Sequence, residues 1–213
     1  MLVAPFTDYA QRVVVIDYGM SNLFSVCNTL QALGCKATVS NKPDDVVGAD
    51  RVILPGVGAF GVGMQNLRAL GMVEALLQVA ASGRPLLGIC LGMQLLADES
   101  FEHGHHIGLG LIPGSVRRMA GEGGLRIPHI GWNTVTFSAK TPLYKGLGRG
   151  ADFYFVHSFQ FDAASAADVT GWCEYGSRFA ASVGRGAVMG AQYHPEKSHR
   201  AGLTVLRNFL ATS

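Results

Sequence analysis

The chain has 213 residues, 48% hydrophobic and 15% charged, enough apolar material for a sizeable α/β core and too much for intrinsic disorder. Its 17 Lys and Arg nearly balance 15 Asp and Glu, leaving a formal charge of +2 and no dense basic run. Neither nucleic acid nor a membrane surface is therefore an expected partner.

From the N-terminus, Met1 to Gln11 has no basic n-region and no long apolar run, so it does not read as a secretory signal. Residues 12–17 are a short β-branched run bounded by Gly19. Ser21 is the candidate cap of a helix whose Leu23, Val26, Cys27, Leu30 and Leu33 recur at helical spacing until Gly34. Residues 37–40 and 51–54 read as strands, and 64–81 as helix in two pieces broken at Gly71. Residues 85–89 read as the next strand and 91–99 as the helix after it. Apolar strands alternating with helices imply a mainly parallel sheet covered on both faces.

The second half is richer in strands, expected at 115–119, 132–137, 153–159, Val169–Tyr175, 178–183 and 187–193. Gly184 and Gly186 mark a hairpin within 178–193, and His199–Leu210 reads as a closing amphipathic helix. With no repeat, low-complexity tract or linker, residues 1–213 are read as one domain. No apolar run approaches the length of a membrane span. The cysteines Cys27, Cys35, Cys90 and Cys173 contain no Cys-x-x-Cys pair, which points to reduced thiols in a cytoplasmic setting rather than a disulfide scaffold or zinc site.

One cysteine stands apart. Gly88-Ile89-Cys90-Leu91-Gly92-Met93-Gln94 has the form of a nucleophile elbow, in which a strand ends, one residue is held on a tight turn and a helix begins. The helix N-terminus behind Cys90 favours thiolate. A base and its orienting acid are supplied by His194-Pro195-Glu196. Pro195 keeps His194 out of helical conformation, and Glu196 turns back to accept from Nδ1, leaving Nε2 for the thiol. The oxyanion donors expected are the Leu91 N–H and, from Pro55-Gly56-Val57-Gly58, the N–H of Val57 or Gly58.

Gly56-Val57-Gly58-Ala59-Phe60-Gly61 also matches the dinucleotide fingerprint. It opens on Pro55, lies outside the first βα unit and lacks the acidic residue about twenty positions on, so an oxyanion loop is the better reading and no cofactor is expected. His103, His105 and His106 lack a second ligand cluster and read as a solvated loop, so no metal is expected. His129 and His157 sit in apolar, strand-like surroundings with no acid in reach. Cys27 reads as a small core hydrophobe.

With Cys90, His194 and Glu196 in place, the chain resembles the class I (triad) glutamine amidotransferases over nearly its whole length, and among them the glutaminase subunits of imidazole glycerol phosphate synthases. The residues that carry this are Pro55 to Phe60, Gly88 to Gln94, Ile127-Pro128-His129-Ile130-Gly131-Trp132-Asn133, Tyr154-Phe155-Val156-His157-Ser158 and His194-Pro195-Glu196-Lys197-Ser198. The resemblance implies a flavodoxin-like α/β amidotransferase fold and hydrolysis of L-glutamine through a thioester on Cys90. It implies glutamine contacts from Gln94 and from backbone groups of His157, Ser158 and Phe159. It further implies a (β/α)8-barrel synthase partner that receives the ammonia for histidine biosynthesis, with Asn22, Trp132, Tyr154 and Lys197 at the interface. Ser25 falls where some members have Asn. A glutaminase for pyridoxal phosphate, anthranilate or aminodeoxychorismate synthesis is the enzymatic rival, against which the Pro128-to-Asn133 segment argues. A non-catalytic regulatory scaffold is the other, against which the intact triad argues.

Overall fold

In a computed structural model, residues 11–121, 124–137 and 141–212 are described; the 1–10 segment, read above as no signal, lies outside them. In chain order the elements are β1 (Val13–Ile16), α1 (Leu23–Ala32), β2 (Thr38–Ser40), α2 (Pro43–Val47), β3 (Arg51–Gly56), α3 (Phe60–Ala69) and α4 (Met72–Ala81). Next come β4 (Leu86–Cys90), α5 (Leu91–Gln94), β5 (Glu99–Ser100), β6 (His106–Ile107), β7 (Gly114–Arg118), β8 (His129–Phe137), β9 (Gly150–His157) and β10 (Phe159–Ala163). The chain closes with β11 (Val169–Tyr175), β12 (Ser177–Arg185), β13 (Val188–Ala191), a 3₁₀ turn at Pro195–Lys197 and α6 (His199–Leu210).

Nine strands form one sheet in the order β2-β1-β3-β4-β13-β12-β11-β8-β9. The strands from β2 to β13 are mutually parallel, and antiparallel strands extend the sheet from there. Period-2 alternation divides the buried side chains between the two faces. Val13, Val15 and Ile53 pack with Val26 and Leu30 of α1 and with Val205, Leu206 and Phe209 of α6. Val14, Ile16 and Leu54 pack with Phe60, Met64 and Leu67 of α3 and with Leu76 and Val79 of α4. No helix among the described residues is long and apolar enough to cross a membrane.

This topology assembles the site. Gly56 pairs with Cys90 across β3 and β4, and Ala191 pairs with Ile89 across β13 and β4. The glycine loop, the cysteine and the His-Pro-Glu turn therefore leave three adjacent parallel strands at the same end, where open α/β sheets place ligands.

Several expectations need correction. Ser21 does not cap α1; its hydroxyl donates to Pro55 O at 3.0 Å, and Asn22 is the cap, accepting from Ser25 N at 3.5 Å. The 64–81 helix begins earlier, at Phe60, and breaks as expected at Gly71, whose φ is 67°. The helix expected over 91–99 stops at Gln94, because the chain turns after buried Leu95, Leu96 and Ala97 into β5. The single strand expected over 153–159 is two, β9 and β10. The latter joins β7, β5 and β6 in a second, four-stranded sheet that the sequence did not announce. β13 ends at Ala191, short of 193. The hairpin turns at Gly186, with φ 59°, while Gly184 lies inside β12.

Candidate active site

Cys90 has φ 54° and ψ −109°, a conformation that costs a non-glycine residue about 1–3 kcal/mol and persists only where surrounding packing enforces it. The flanking glycines show how it is enforced. A methyl on Gly92 would lie 1.7 Å from Leu54 O, and one on Gly88 would lie 2.5 Å from Gly92 O. Only glycine lets the elbow press this closely onto β3. Behind the cysteine, α5 has four residues, so the dipole expected there is short.

His194 is extended, with φ −97° and ψ 96°, as the following proline requires. Its backbone is tied to β9 by His194 N–H donating to Tyr154 O at 2.9 Å, and Ser198 Oγ donates to His194 O at 2.6 Å. Nδ1 donates to Glu196 Oε1 at 2.8 Å. Burial alone would lower the His194 pKa. Hydrogen bonds to Cys90 and Glu196, with the charges of both, outweigh it and raise the value to about 9. The structure thus brings Cys90, His194 and Glu196 together. Glu196 Oε2 is buried with no hydrogen-bond partner among the described residues, and Glu196 borders a small cavity shared with Asn22 and Gly56.

Cys90 opens into a pocket of about 410 Å³, a volume suited to a small metabolite. Val57, Gly58, Leu91, Gln94, His157, Ser158 and Phe159, all named from the sequence, line it. Their polar atoms are arranged differently from the expectation. The Val57 N–H donates to Met20 O at 2.7 Å, because the turn at Gly19 brings that carbonyl against the glycine loop; it is not offered to the pocket. Gln94 Nε2 donates to Phe159 O and to Gln192 Oε1, both at 3.0 Å. Phe159 O also accepts from His157 Nδ1 at 2.8 Å, and Ser158 O accepts from Met119 N.

His157 and His129 are within 3.1 Å of each other, and His129 stacks between Phe155 and Tyr175. Burial lowers the pKa of His129 to about 4 and that of His157 to about 3, so both are neutral and neither rivals His194 as base. His105 lies 2.7 Å from Glu99 Oε2 and His106 3.0 Å from Glu102 O, while His103 lines the pocket.

On the sheet edge, Trp132 faces Tyr154 across β8 and β9 and stacks on His199, with ring centroids 4.8 Å apart. Lys197 Nζ stands 6.0 Å over the Tyr154 ring. Ile130 and Val156, paired in the same register, extend this face as exposed apolar residues. Phe24, in the first turn of α1 beside Asn22, is 77% exposed.

The class-I glutamine amidotransferase family model matches residues 14–212. The chain belongs to this amidotransferase family. It is 49% identical over 197 residues to the imidazole glycerol phosphate synthase subunit HisH of Moorella thermoacetica, covering 92% of this chain and 93% of that one. It is likewise 49% identical to HisH of Symbiobacterium thermophilum, over 93% and 92% of the two chains. Among solved structures, PurLQS from Thermotoga maritima superposes with a TM-score of 0.73 at 21% identity, over 94% of this chain and 98% of that one. A crystal structure titled glutamine amidotransferase gives 0.73 at 22%, over 93% and 97%. These two likenesses speak for the amidotransferase fold.

Two residues lining the amidotransferase pocket and one buried beside Cys90 escaped sequence reading. Glu102 is buried in the loop between β5 and β6. Its Oε2 accepts from Phe60 N at 2.6 Å, filling the N-terminus of α3 where a dinucleotide phosphate would otherwise sit. Arg118, at the end of β7, lines the pocket as its arginine cation. Gln192, fully buried, lies against the thiol. Glu102 belongs to a loop of the unanticipated small sheet, and Arg118 to the end of β7, a strand the sequence does show. Gln192 sits beside the His-Pro-Glu motif and carried no signal of its own.

Proposed function

We propose that the chain is the glutaminase subunit of imidazole glycerol phosphate synthase. It hydrolyses L-glutamine to glutamate and ammonia and passes the ammonia to a (β/α)8-barrel synthase subunit in cytoplasmic histidine biosynthesis. The whole chain works as one amidotransferase domain. The observation that carries the reading is the Cys90–His194–Glu196 constellation at a pocket that also holds Glu102 and Arg118, opposite charges suited to an amino acid's ammonium and carboxylate.

Chemically, Cys90 Sγ attacks the side-chain amide carbon and His194 delivers a proton to the departing ammonia. A γ-glutamyl thioester remains, and water deprotonated by His194 cleaves it to glutamate. Glu196 holds the imidazole orientation and balances its charge. The negative oxygen of each tetrahedral intermediate needs two donors. One is the Leu91 N–H. The other is the N–H of Val57 or Gly58 after the glycine loop turns away from Met20 O. Docking of the synthase against Asn22, Trp132, Tyr154 and Lys197 drives that turn, so the isolated chain is a poor glutaminase.

Cys90→Ala tests the reading in the two-subunit complex. Glutamine-dependent synthesis should vanish while synthesis from free ammonia survives. Loss of both would place Cys90 in folding or docking instead.

A further inference from the structure

Gln192 is fully buried, two residues before His194, and its Nε2 lies 3.8 Å from Cys90 Sγ. Which end of an amide faces a neighbour is decided by the hydrogen-bond network around it. Here that network has a fixed terminus. Phe159 O is a backbone carbonyl and can only accept, so the end of Gln94 that meets it is its nitrogen. The same Gln94 nitrogen gives its second proton to Gln192 at 3.0 Å, so the Gln192 end that meets it is its oxygen. Gln192 is thereby turned with its NH2 toward the sulfur. A neutral thiol has an outlet for its own proton in Val156 O, 3.8 Å away. An amide donor aimed at the sulfur instead favours the thiolate.

We infer that Gln192 is a catalytic residue: its Nε2–H donates to the Cys90 thiolate, and Gln94 and Phe159 O hold it in that orientation. This rests on the glutaminase reading for its role in turnover, and on geometry alone for its effect on the thiol. The titratable and charged groups around the sulfur are His194 and Glu196 after β13, Tyr18 after β1 and His157 at the end of β9, with Glu102, His103 and Arg118 lining the same pocket. All of them stay in place in the variants below.

The test is the pH profile of iodoacetamide alkylation at Cys90, read by peptide mass on the full chain, for Gln192→Glu and Gln192→Met. Gln192→Glu keeps the oxygen that Gln94 needs and removes the donor; Gln192→Met removes both without adding charge. Each should move the alkylation midpoint upward by about one pH unit, Gln192→Glu the further, as loss of one charge-assisted hydrogen bond predicts. In the complex with the synthase, kcat for glutamine should fall about tenfold with KM within about twofold. A wild-type alkylation profile in a folded Gln192→Glu protein overturns the inference. Should Gln192→Glu fail to fold, Gln192→Met decides by the same profile. A wild-type complex that fails to hydrolyse glutamine would defeat the glutaminase reading and leave the alkylation result to judge Gln192.

Discussion

β3 and β4 end side by side, yet the backbone they deliver is in two different conditions. At the end of β4 the cysteine is finished. Its left-handed conformation is locked by glycines packed against Leu54 O and Gly92 O, and its imidazole partner is already paired with Glu196. At the end of β3 the Val57 N–H is committed to Met20 O, a single backbone hydrogen bond on a glycine-flanked loop. Moving the elbow would mean repacking the sheet. Turning one loop peptide trades one hydrogen bond for another, a net change of about 1 kcal/mol. In our proposal the nucleophile is built to stay and the oxyanion donor is built to be switched.

The finished side should break hardest. Glu196→Gln removes the charge that orients His194 and should lower kcat on the order of 10²-fold or more, measured on the complex. It also carries a pH signature. The folded-state pKa of His194, about 9, lies above its ordinary value of 6.5. Stability from this pairing is therefore fully present below pH 6.5 and is lost as pH rises through about 9. Thermal unfolding of the wild type should decline across that window, and Glu196→Gln should flatten the decline. An unchanged slope would assign the raised pKa to Cys90 alone.

The buried histidines give the opposite sign. His129 is held neutral, with a folded-state pKa of about 4 against an ordinary 6.5, so the stability it contributes is present above pH 6.5 and is lost as pH falls toward 4. His129→Gln should reduce the acid-side loss in a pH series of thermal melts while leaving the region above pH 6.5 comparatively flat. Retention of the full acid slope would move its origin to His157 or to the carboxylates.

This division explains what was readable in the sequence. The elbow, the His-Pro-Glu turn and the parallel strands are local patterns, each set within a handful of residues by glycine sterics, proline or apolar periodicity. Of the small sheet, β7 was legible as the strand at 115–119, but the sheet itself was not, because β5 and β6 have two residues each, too few for any alternation to show. Glu102 reaches the pocket through a loop of that sheet, and Arg118 stands at the end of the legible β7, where no local pattern says which pocket a strand end meets. Gln192 was invisible for another reason. Its orientation is inherited from Phe159 O through Gln94, two contacts that each span more than sixty residues. The Val57 peptide lies at the pocket, but which way it faces depends on Met20 O, and no spacing rule encodes a peptide's direction.

The smallest effect expected lies where the switchable side meets the proposed docking face. Asn22 caps α1 through a bond to Ser25 N of 3.5 Å, long for an N–H···O contact, so Asn22→Ala should cost less than about 1 kcal/mol, or about 3 °C in Tm. The same residue borders the cavity that Gly56 shares with Glu196, and it stands beside the exposed Phe24. If the synthase acts on the glycine loop through this corner, Asn22→Ala should weaken activation of glutaminase turnover by the synthase more than it lowers Tm. Activation that follows the wild-type titration would leave Asn22 a helix cap and nothing more, and would move the proposed switch to the Trp132–Tyr154 side of the proposed docking face.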